Sequence, residues 1–173
     1  MKVDFTLLNS VFATKCQELL DSCATQDIIM VPYYGFRTLE EQAKLWRQSR
    51  STAEVTQKIA ALRTSECDYL ADIIEKVGPQ PMGRWATNAI PGLSWHNWGE
   101  AMDCYRLRDG KASWISRDYT NYGIIASGKP IHMKWGGDFR QPDYGHVQRR
   151  DREVVDLHGL LYVNDYFRER EGQ

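Results

Sequence analysis

The sequence is poor in several features, each of which would define a class of protein. No apolar run in its 173 residues approaches the ~18 that a membrane-spanning helix needs, so we expect no membrane insertion. Lysine and arginine together number 22, against 23 aspartate and glutamate residues. The net charge of −1 lacks the positive excess that non-specific nucleic-acid binding requires, so no nucleic-acid partner is expected.

Cysteine is scarce, and its spacing offers no metal motif. The chain has four cysteines, none of which forms a C-x-x-C pair, so neither a cysteine zinc site nor a thioredoxin motif is expected. The opening residues include an early acid and no apolar run, which argues against a cleavable secretory signal. We therefore expect synthesis in the cytoplasm with reduced thiols, and we expect Cys16 and Cys23 to pack in the core.

The length and the hydrophobic pattern predict one α+β domain over residues 1–173. Apolar residues at 27–34 and at 100–106 predict strands, and most other periodic segments have helical spacing. A few strands mixed with segregated helices favour a small antiparallel sheet flanked by helices. Within this domain we predict a helical insertion at about 49–80 and a helical tail at about 151–173.

Histidine is also rare, and two of the four histidines lie in patterned segments. His96 follows Ser94 in a loop-like stretch, and His146 lies three residues after Asp143. A catalytic zinc site needs three protein ligands and one open position. Two imidazoles and one carboxylate would leave the ion able to acidify water and polarise a carbonyl. Taken singly, each histidine is better explained as an ordinary core or surface residue, and only the joint pattern favours a metal site.

A carboxylate with suitable spacing follows the first histidine. Asp103 comes seven residues after His96, on a predicted strand. Because side chains alternate along a strand, Asp103 faces one side and Cys104 the other, so Cys104 is rejected as a ligand. Gly99 lets the backbone pass closely between the two candidate ligands.

The second histidine completes the predicted site. His146 would supply the third ligand, and the nearby Asp143 is then the natural general base. It would take a proton from the attacking water and pass it to the leaving amine. This role requires a carboxylate that lies beside the ion without binding it.

The joint pattern S-x-H-x-x-G-x-A-x-D, followed by D-x-x-H, resembles the signature of the LAS zinc peptidases of peptidoglycan. The matching residues are Ser94, His96, Gly99, Ala101 and Asp103, then Asp143 and His146. This group includes D-Ala-D-Ala carboxypeptidases and dipeptidases, and L-alanyl-D-glutamate endopeptidases of phages and bacteria. Segments 87–99 and 134–139 resemble the endopeptidase branch, and the likeness spans about residues 10–150.

The resemblance implies a hedgehog/DD-peptidase-like zinc peptidase fold with one zinc ion. It implies that His96, Asp103 and His146 bind the zinc and that Asp143 is the base. It also matches other residues to supporting roles. Those residues are Arg37 for the substrate carbonyl and its developing oxyanion, Ser94 for hydrogen-bond support, and Trp135 for the substrate cleft or, equally, for packing.

The sequence departs from the family pattern in three places. The segment at about 49–80 is longer than the usual link. Glu100 stands where the family usually has an apolar residue, and Val147 where it often has an aromatic one. We interpret Glu100 as a solvent-facing strand residue.

The resemblance implies a monomeric peptidoglycan hydrolase that cleaves the stem peptide, at the bond between L-Ala and D-Glu. The setting it implies is endolysin-like cell-wall lysis in the periplasm, after holin-type or non-classical release. Two alternatives stay open: a D-Ala-D-Ala carboxypeptidase or dipeptidase, and a non-catalytic zinc-binding module of the same fold. Asp143 argues against the module, which would not need a base.

Overall fold

A computed structural model describes residues 3–81 and 83–171. In chain order, its helices and strands are α1 (Ser10–Ala24), β1 (Ile29–Tyr34), α2 (Leu39–Arg47), α3 (Thr52–Thr64), α4 (Asp68–Lys76), β2 (Ala101–Arg108), β3 (Lys111–Ser113), α5 (Thr120–Ser127), β4 (Lys134–Trp135), β5 (His146–Gln148), α6 (Val154–His158) and α7 (Leu160–Glu171). None of the described helices combines the length and the apolar character that crossing a bilayer would require.

The chain divides into two compact units. One comprises the chain up to Phe36 together with Trp98–Asp151, and the other comprises Arg37–Asn97 together with the chain from Arg152 onward. The first contains the β-sheet with α1 and α5, and the second is helical. The predicted α+β class with a small antiparallel sheet is confirmed. The single domain over 1–173 stays a prediction, and its outermost residues lie outside the described ranges.

Strand β2 organises the sheet of the first unit. It pairs antiparallel with β1 along one edge. Along its other edge it pairs with β5 through Ala101–Asp103 and with β3 through Arg106–Arg108. The strand order is β1-β2-β5-β4. The β2–β3 hairpin turns through Asp109 and Gly110, both with positive φ, as a two-residue hairpin requires.

The core of this unit lies between the inner face of the sheet and helices α1 and α5. Met102 and Cys104 on β2 pack with Phe12 and Cys16 of α1 and with Tyr122 of α5, and all five are fully buried. All four cysteines are buried, and Cys16 and Cys23 pack in the core as predicted. The side chains on the inner face of β2 therefore pack in the core, and polar side chains can stand on its outer face.

Two helices of the helical unit begin at capping boxes that the local sequence encodes. Thr38 and Glu41 form a reciprocal capping box at the start of α2, and Ser51 and Glu54 form another at the start of α3. Helix α4 is tied to α7, because the backbone N–H of Leu70 donates to Asn164 Oδ1 at 3.2 Å. Helices α3 and α4 occupy the segment predicted to be an insertion. That it is an insertion relative to the family stays a prediction.

Candidate metal centre

Two of the predicted ligands face each other across neighbouring strands. Asp103 on β2 is in direct register with His146 on β5, so both side chains stand on the same face of the sheet. Asp103 Oδ1 lies 2.9 Å from His146 Nδ1. Both residues are 8% exposed, which is low for a carboxylate and requires a partner. Asp103 and Cys104 lie on opposite faces of β2, as the alternation predicts, and the choice of Asp103 as a metal ligand stays a prediction.

The second ring nitrogen of His146 also has a partner. His146 Nε2 lies 3.0 Å from Oε1 of Gln148, two residues further along β5. Burial disfavours the charged imidazolium, but the hydrogen bond and charge of Asp103, with the charge of Asp143, outweigh it and raise the pKa of His146. A metal ion bound by His146 would compete with a proton for the imidazole, so metal binding at the site should weaken as the pH falls.

The third predicted ligand sits in a well-anchored loop. His96 lies in a short 3-10 helix, Trp95–Trp98, and is 4% exposed. Its backbone carbonyl accepts a hydrogen bond from the N–H of Arg37 at 3.1 Å. The backbone N–H of His96 donates a long hydrogen bond of 3.4 Å to Ser94 Oγ. The supporting role expected of Ser94 stays a prediction.

Asn97, which the sequence interpretation passed over, holds this loop in place. Its Nδ2 donates to the carbonyls of Arg37 and Thr38 at 2.9 and 3.3 Å. Its Oδ1 accepts from the N–H of Gly92 at 3.0 Å. Because Asn97 is buried and uses both ends of its amide, it restrains the backbone directly after His96. Gly92 lies within segment 87–99, which resembles the endopeptidase branch, so the contact gives part of that segment a structural role.

One candidate ligand atom from each of His96, Asp103 and His146 lies within 4.8 Å of the other two. In a tetrahedral centre with zinc–ligand distances of ~2.0–2.2 Å, the ligand atoms are roughly 3.3–3.6 Å apart. Two imidazole nitrogens and one carboxylate oxygen are the donors that zinc favours in catalytic sites. The donor set therefore has the chemistry that one such ion requires.

The predicted base lies beside this group. Asp143 is exposed, and its backbone is held by a tight turn in which its N–H donates to Gly136 O at 2.9 Å. The carbonyl of Asp143 accepts from the N–H of His146 at 3.1 Å. A Cβ at position 136 would lie 2.4 Å from Asp143 O, so glycine is required there. The charge of Asp143 acts on His146, as the raised pKa shows.

Arg37 and Trp135 are both fixed by defined hydrogen bonds. Arg37 Nη1 donates to Oε1 of the fully buried Gln42 at 2.8 Å, and Gln42 Nε2 donates to Ala89 O at 2.7 Å. The indole N–H of Trp135 donates to Tyr144 O at 2.8 Å, and the ring packs against the core. The packing role left open for Trp135 is thus what its contacts show, and its cleft role stays a prediction.

The interpretation of Glu100 as a solvent-facing residue is wrong. Glu100 is 6% exposed, and its carboxylate bonds Arg149 Nη1 at 2.5 Å and Arg150 Nε at 2.8 Å. The pairing of β2 with β5 brings these arginines to it, since the N–H of Arg149 donates to Glu100 O at 2.9 Å. The adjacent arginines directly after β5 were the signal that could have indicated a buried acid.

The fold and the site together define a class of protein. A buried pair of donors on paired strands, a third donor of the right type and an adjacent exposed carboxylate are what a mononuclear metallohydrolase needs. A purely structural zinc site would use four protein ligands and no base.

Comparison with known proteins places the chain within this class. Residues 6–126 match the family model "VanY: D-alanyl-D-alanine carboxypeptidase", which is more than half of the chain, so the chain belongs to the VanY family. The resemblance to LAS-type peptidoglycan zinc peptidases is thereby confirmed.

Two relatives illustrate the likeness. The chain is 25% identical over 150 residues to the peptidoglycan L-alanyl-D-glutamate endopeptidase CwlK of Bacillus subtilis strain 168, covering 82% of this chain and 72% of that protein. Its fold is similar to the crystal structure of the L-Ala D-Glu endopeptidase ChiX of Serratia marcescens. That match has a TM-score of 0.51 and 12% identity, and it covers 90% of this chain and 86% of the other. The second likeness concerns the fold alone.

Proposed function

We propose that this protein is a zinc-dependent peptidoglycan hydrolase that cleaves the bond between L-Ala and D-Glu in the stem peptide. The observation that carries the proposal is the buried Asp103–His146 pair with a third donor, His96, within reach of one ion. The choice of bond is supported by the similarity to CwlK, whose name states that activity. It is also supported by segments 87–99 and 134–139, which resemble the endopeptidase branch.

In this proposal, His96, Asp103 and His146 hold the zinc ion. When bound, zinc supplies a Lewis acid that acidifies water and polarises the scissile carbonyl. Asp143 accepts a proton from the attacking water at a carboxylate oxygen as the new C–O bond forms. It delivers this proton to the departing nitrogen as the C–N bond breaks, so the amine leaves neutral.

Arg37 is proposed to stabilise the negative charge that develops on the carbonyl oxygen. An arginine guanidinium is planar and positively charged, and its fork can donate two hydrogen bonds. The bond from Arg37 Nη1 to the buried Gln42 restrains the head group, so less of its freedom is lost when substrate binds. Ser94 is proposed to support the loop that carries His96.

The direct test is digestion of purified muropeptides of defined structure, with the products weighed by mass spectrometry. Cleavage at the proposed bond leaves L-Ala on the muramyl sugar and releases a peptide whose new amino terminus is D-Glu. The Asp143→Asn variant, treated identically, should leave the muropeptides intact. Release of a terminal D-Ala with the rest of the stem unbroken would overturn the proposed bond.

A D-Ala-D-Ala carboxypeptidase is the second candidate, and a specific observation favours it. The family model that matches residues 6–126 carries that description. The same digestion distinguishes the two activities, because they release products of different mass. A non-catalytic zinc-binding module predicts no product at all, and the position of Asp143 beside His146 argues against it.

We also propose that the enzyme acts as a monomer in endolysin-like lysis of the wall. It would reach the periplasm through holin-type or other non-classical release. Co-expression with and without a holin tests this route. Lysis should require both the holin and Asp143, and lysis that does not depend on the holin would contradict it.

A further inference from the structure

A buried glutamine lies directly behind one of the proposed zinc ligands. Gln148 is 6% exposed and stands on the same face of β5 as His146. Its Oε1 lies 3.0 Å from His146 Nε2, and its Nε2 donates to the backbone carbonyl of Arg150 at 2.6 Å. Both ends of this amide are therefore engaged, and neither end contacts bulk water extensively.

The partner at Arg150 determines which way the amide must point. A backbone carbonyl can only accept a hydrogen bond, so the NH₂ end of Gln148 must face it. The amide oxygen is then left facing His146, and that oxygen can only accept. The opposite orientation would bring the Gln148 oxygen against the Arg150 oxygen and leave two acceptors unsatisfied in a buried place.

This orientation fixes the protonation pattern of the imidazole ring. An accepting oxygen at 3.0 Å requires the hydrogen of His146 to be on Nε2. A metal-bound imidazole is neutral and carries only one hydrogen, so with the ion present Nδ1 keeps its lone pair for the metal. Nδ1 is also the nitrogen that faces Asp103, at 2.9 Å from its carboxylate. We propose that Gln148 is a positioning residue that holds His146 in the tautomer presenting Nδ1 as the metal ligand.

The surroundings of Gln148 hold its amide in place. Ala101 lies directly opposite Gln148 in the β2–β5 register, and its small side chain leaves room for the longer one. The carbonyl that fixes the amide belongs to Arg150, whose guanidinium is bonded to the buried Glu100 at 2.8 Å. Glu100 also accepts from the backbone N–H of Arg149, so the chain directly after β5 is anchored at two points.

The ion pairs of Glu100 with Arg149 and Arg150 are thereby linked to the metal centre. The carboxylate of Glu100 bonds the guanidinium of Arg150, the carbonyl of Arg150 orients Gln148, and Gln148 orients His146. Such outer partners of a metal-binding histidine typically contribute 10- to 100-fold in metal affinity, so the effect is expected to be measurable. The inference rests on the proposed function only in taking zinc as the ion.

Zinc affinity of matched variants tests the proposal. In Gln148→Leu, which keeps the bulk and removes the acceptor, the affinity measured by competition with a chromogenic chelator should fall about 10- to 100-fold. In Gln148→Glu an oxygen again faces His146 Nε2, and most of the affinity should return. Gln17→Leu, at an exposed position on α1, is the control and should bind zinc like the wild type. Wild-type affinity in Gln148→Leu would overturn the proposal.

A second measurement uses the unmodified protein and does not depend on any variant folding. In the zinc-loaded chain with ¹⁵N-labelled histidine, NMR should show a hydrogen on Nε2 of His146 and none on Nδ1. A hydrogen on Nδ1 would contradict the assigned tautomer. Neither measurement depends on which peptide bond is cleaved, so failure here and failure of the muropeptide digestion are distinguishable.

Discussion

The two faces of strand β2 differ in what they contribute to the protein. On the inner face, Met102 and Cys104 are fully buried and pack against α1 and α5. On the outer face, Asp103 pairs with His146, and its burial is tolerated because both side chains have polar partners. Adjacent residues therefore serve stability and chemistry separately. Substitutions on the two faces should change different measurable quantities.

The largest effect on catalysis is expected beside the outer face, at Asp143. We expect Asp143→Asn to lose about a hundredfold or more in turnover, since general acid–base catalysis typically contributes ~10²–10⁴. Its thermal unfolding should match the wild type, because the side chain is exposed. Turnover is measured on a defined muropeptide. Near-normal turnover would place the base elsewhere, and Asp138 would be the next residue to mutate.

The second-largest effect on turnover is expected at Arg37, whose positive charge is proposed to act on the substrate and not on the metal. Arg37→Ala should lose ~10²–10³ in turnover, the typical loss for one oxyanion donor, while keeping its zinc. Arg37→Lys should recover only part of the rate, because an ammonium cannot reproduce the guanidinium fork. Arg117→Ala, at an exposed position, is the control. Full recovery by lysine would mean that only a positive charge is needed at position 37.

The inner face should respond in stability alone. Met102→Ala removes a fully buried side chain and should lower the free energy of unfolding by about 2–5 kcal/mol, because a cavity is left in the core. Denaturant titration measures this change. The folded variant should still bind about one zinc per chain. If Met102→Ala lost zinc while remaining folded, the separation between the two faces would fail.

The smallest effect is expected from the thiols. Burial raises the pKa of Cys23 to about 11, and burial also holds the pKa values of Cys16 and Cys104 well above the ordinary thiol value. These thiols stay protonated at neutral pH and react slowly. Reductant should therefore leave activity unchanged, and all four thiols should titrate after unfolding without prior reduction. A loss of activity in reductant with zinc still bound would reveal a disulfide.

The difference between the two faces also explains what the sequence could predict. The alternation along β2 and the capping box at Thr38 and Glu41 depend on neighbouring residues, and both appear in the structure. The burial of Glu100 depends on how β5 registers against β2, which no local pattern specifies. Gln148 and His146 are two residues apart on one strand, but the orientation of the Gln148 amide depends on its bond to the carbonyl of Arg150. A carboxylate is normally expected at the surface unless its partner is known. For Glu100 that partner lies 49 residues away in sequence.

The most direct test of the central claim is the zinc content of four proteins purified in the same way and analysed by mass spectrometry of the metal. They are the wild type, Asp103→Ala, His146→Ala and Asp143→Asn. The wild type and Asp143→Asn should each carry about one zinc per chain, and the two ligand variants should carry almost none. Full zinc content in either ligand variant, or loss of zinc from Asp143→Asn, would contradict the assignment of ligands and base.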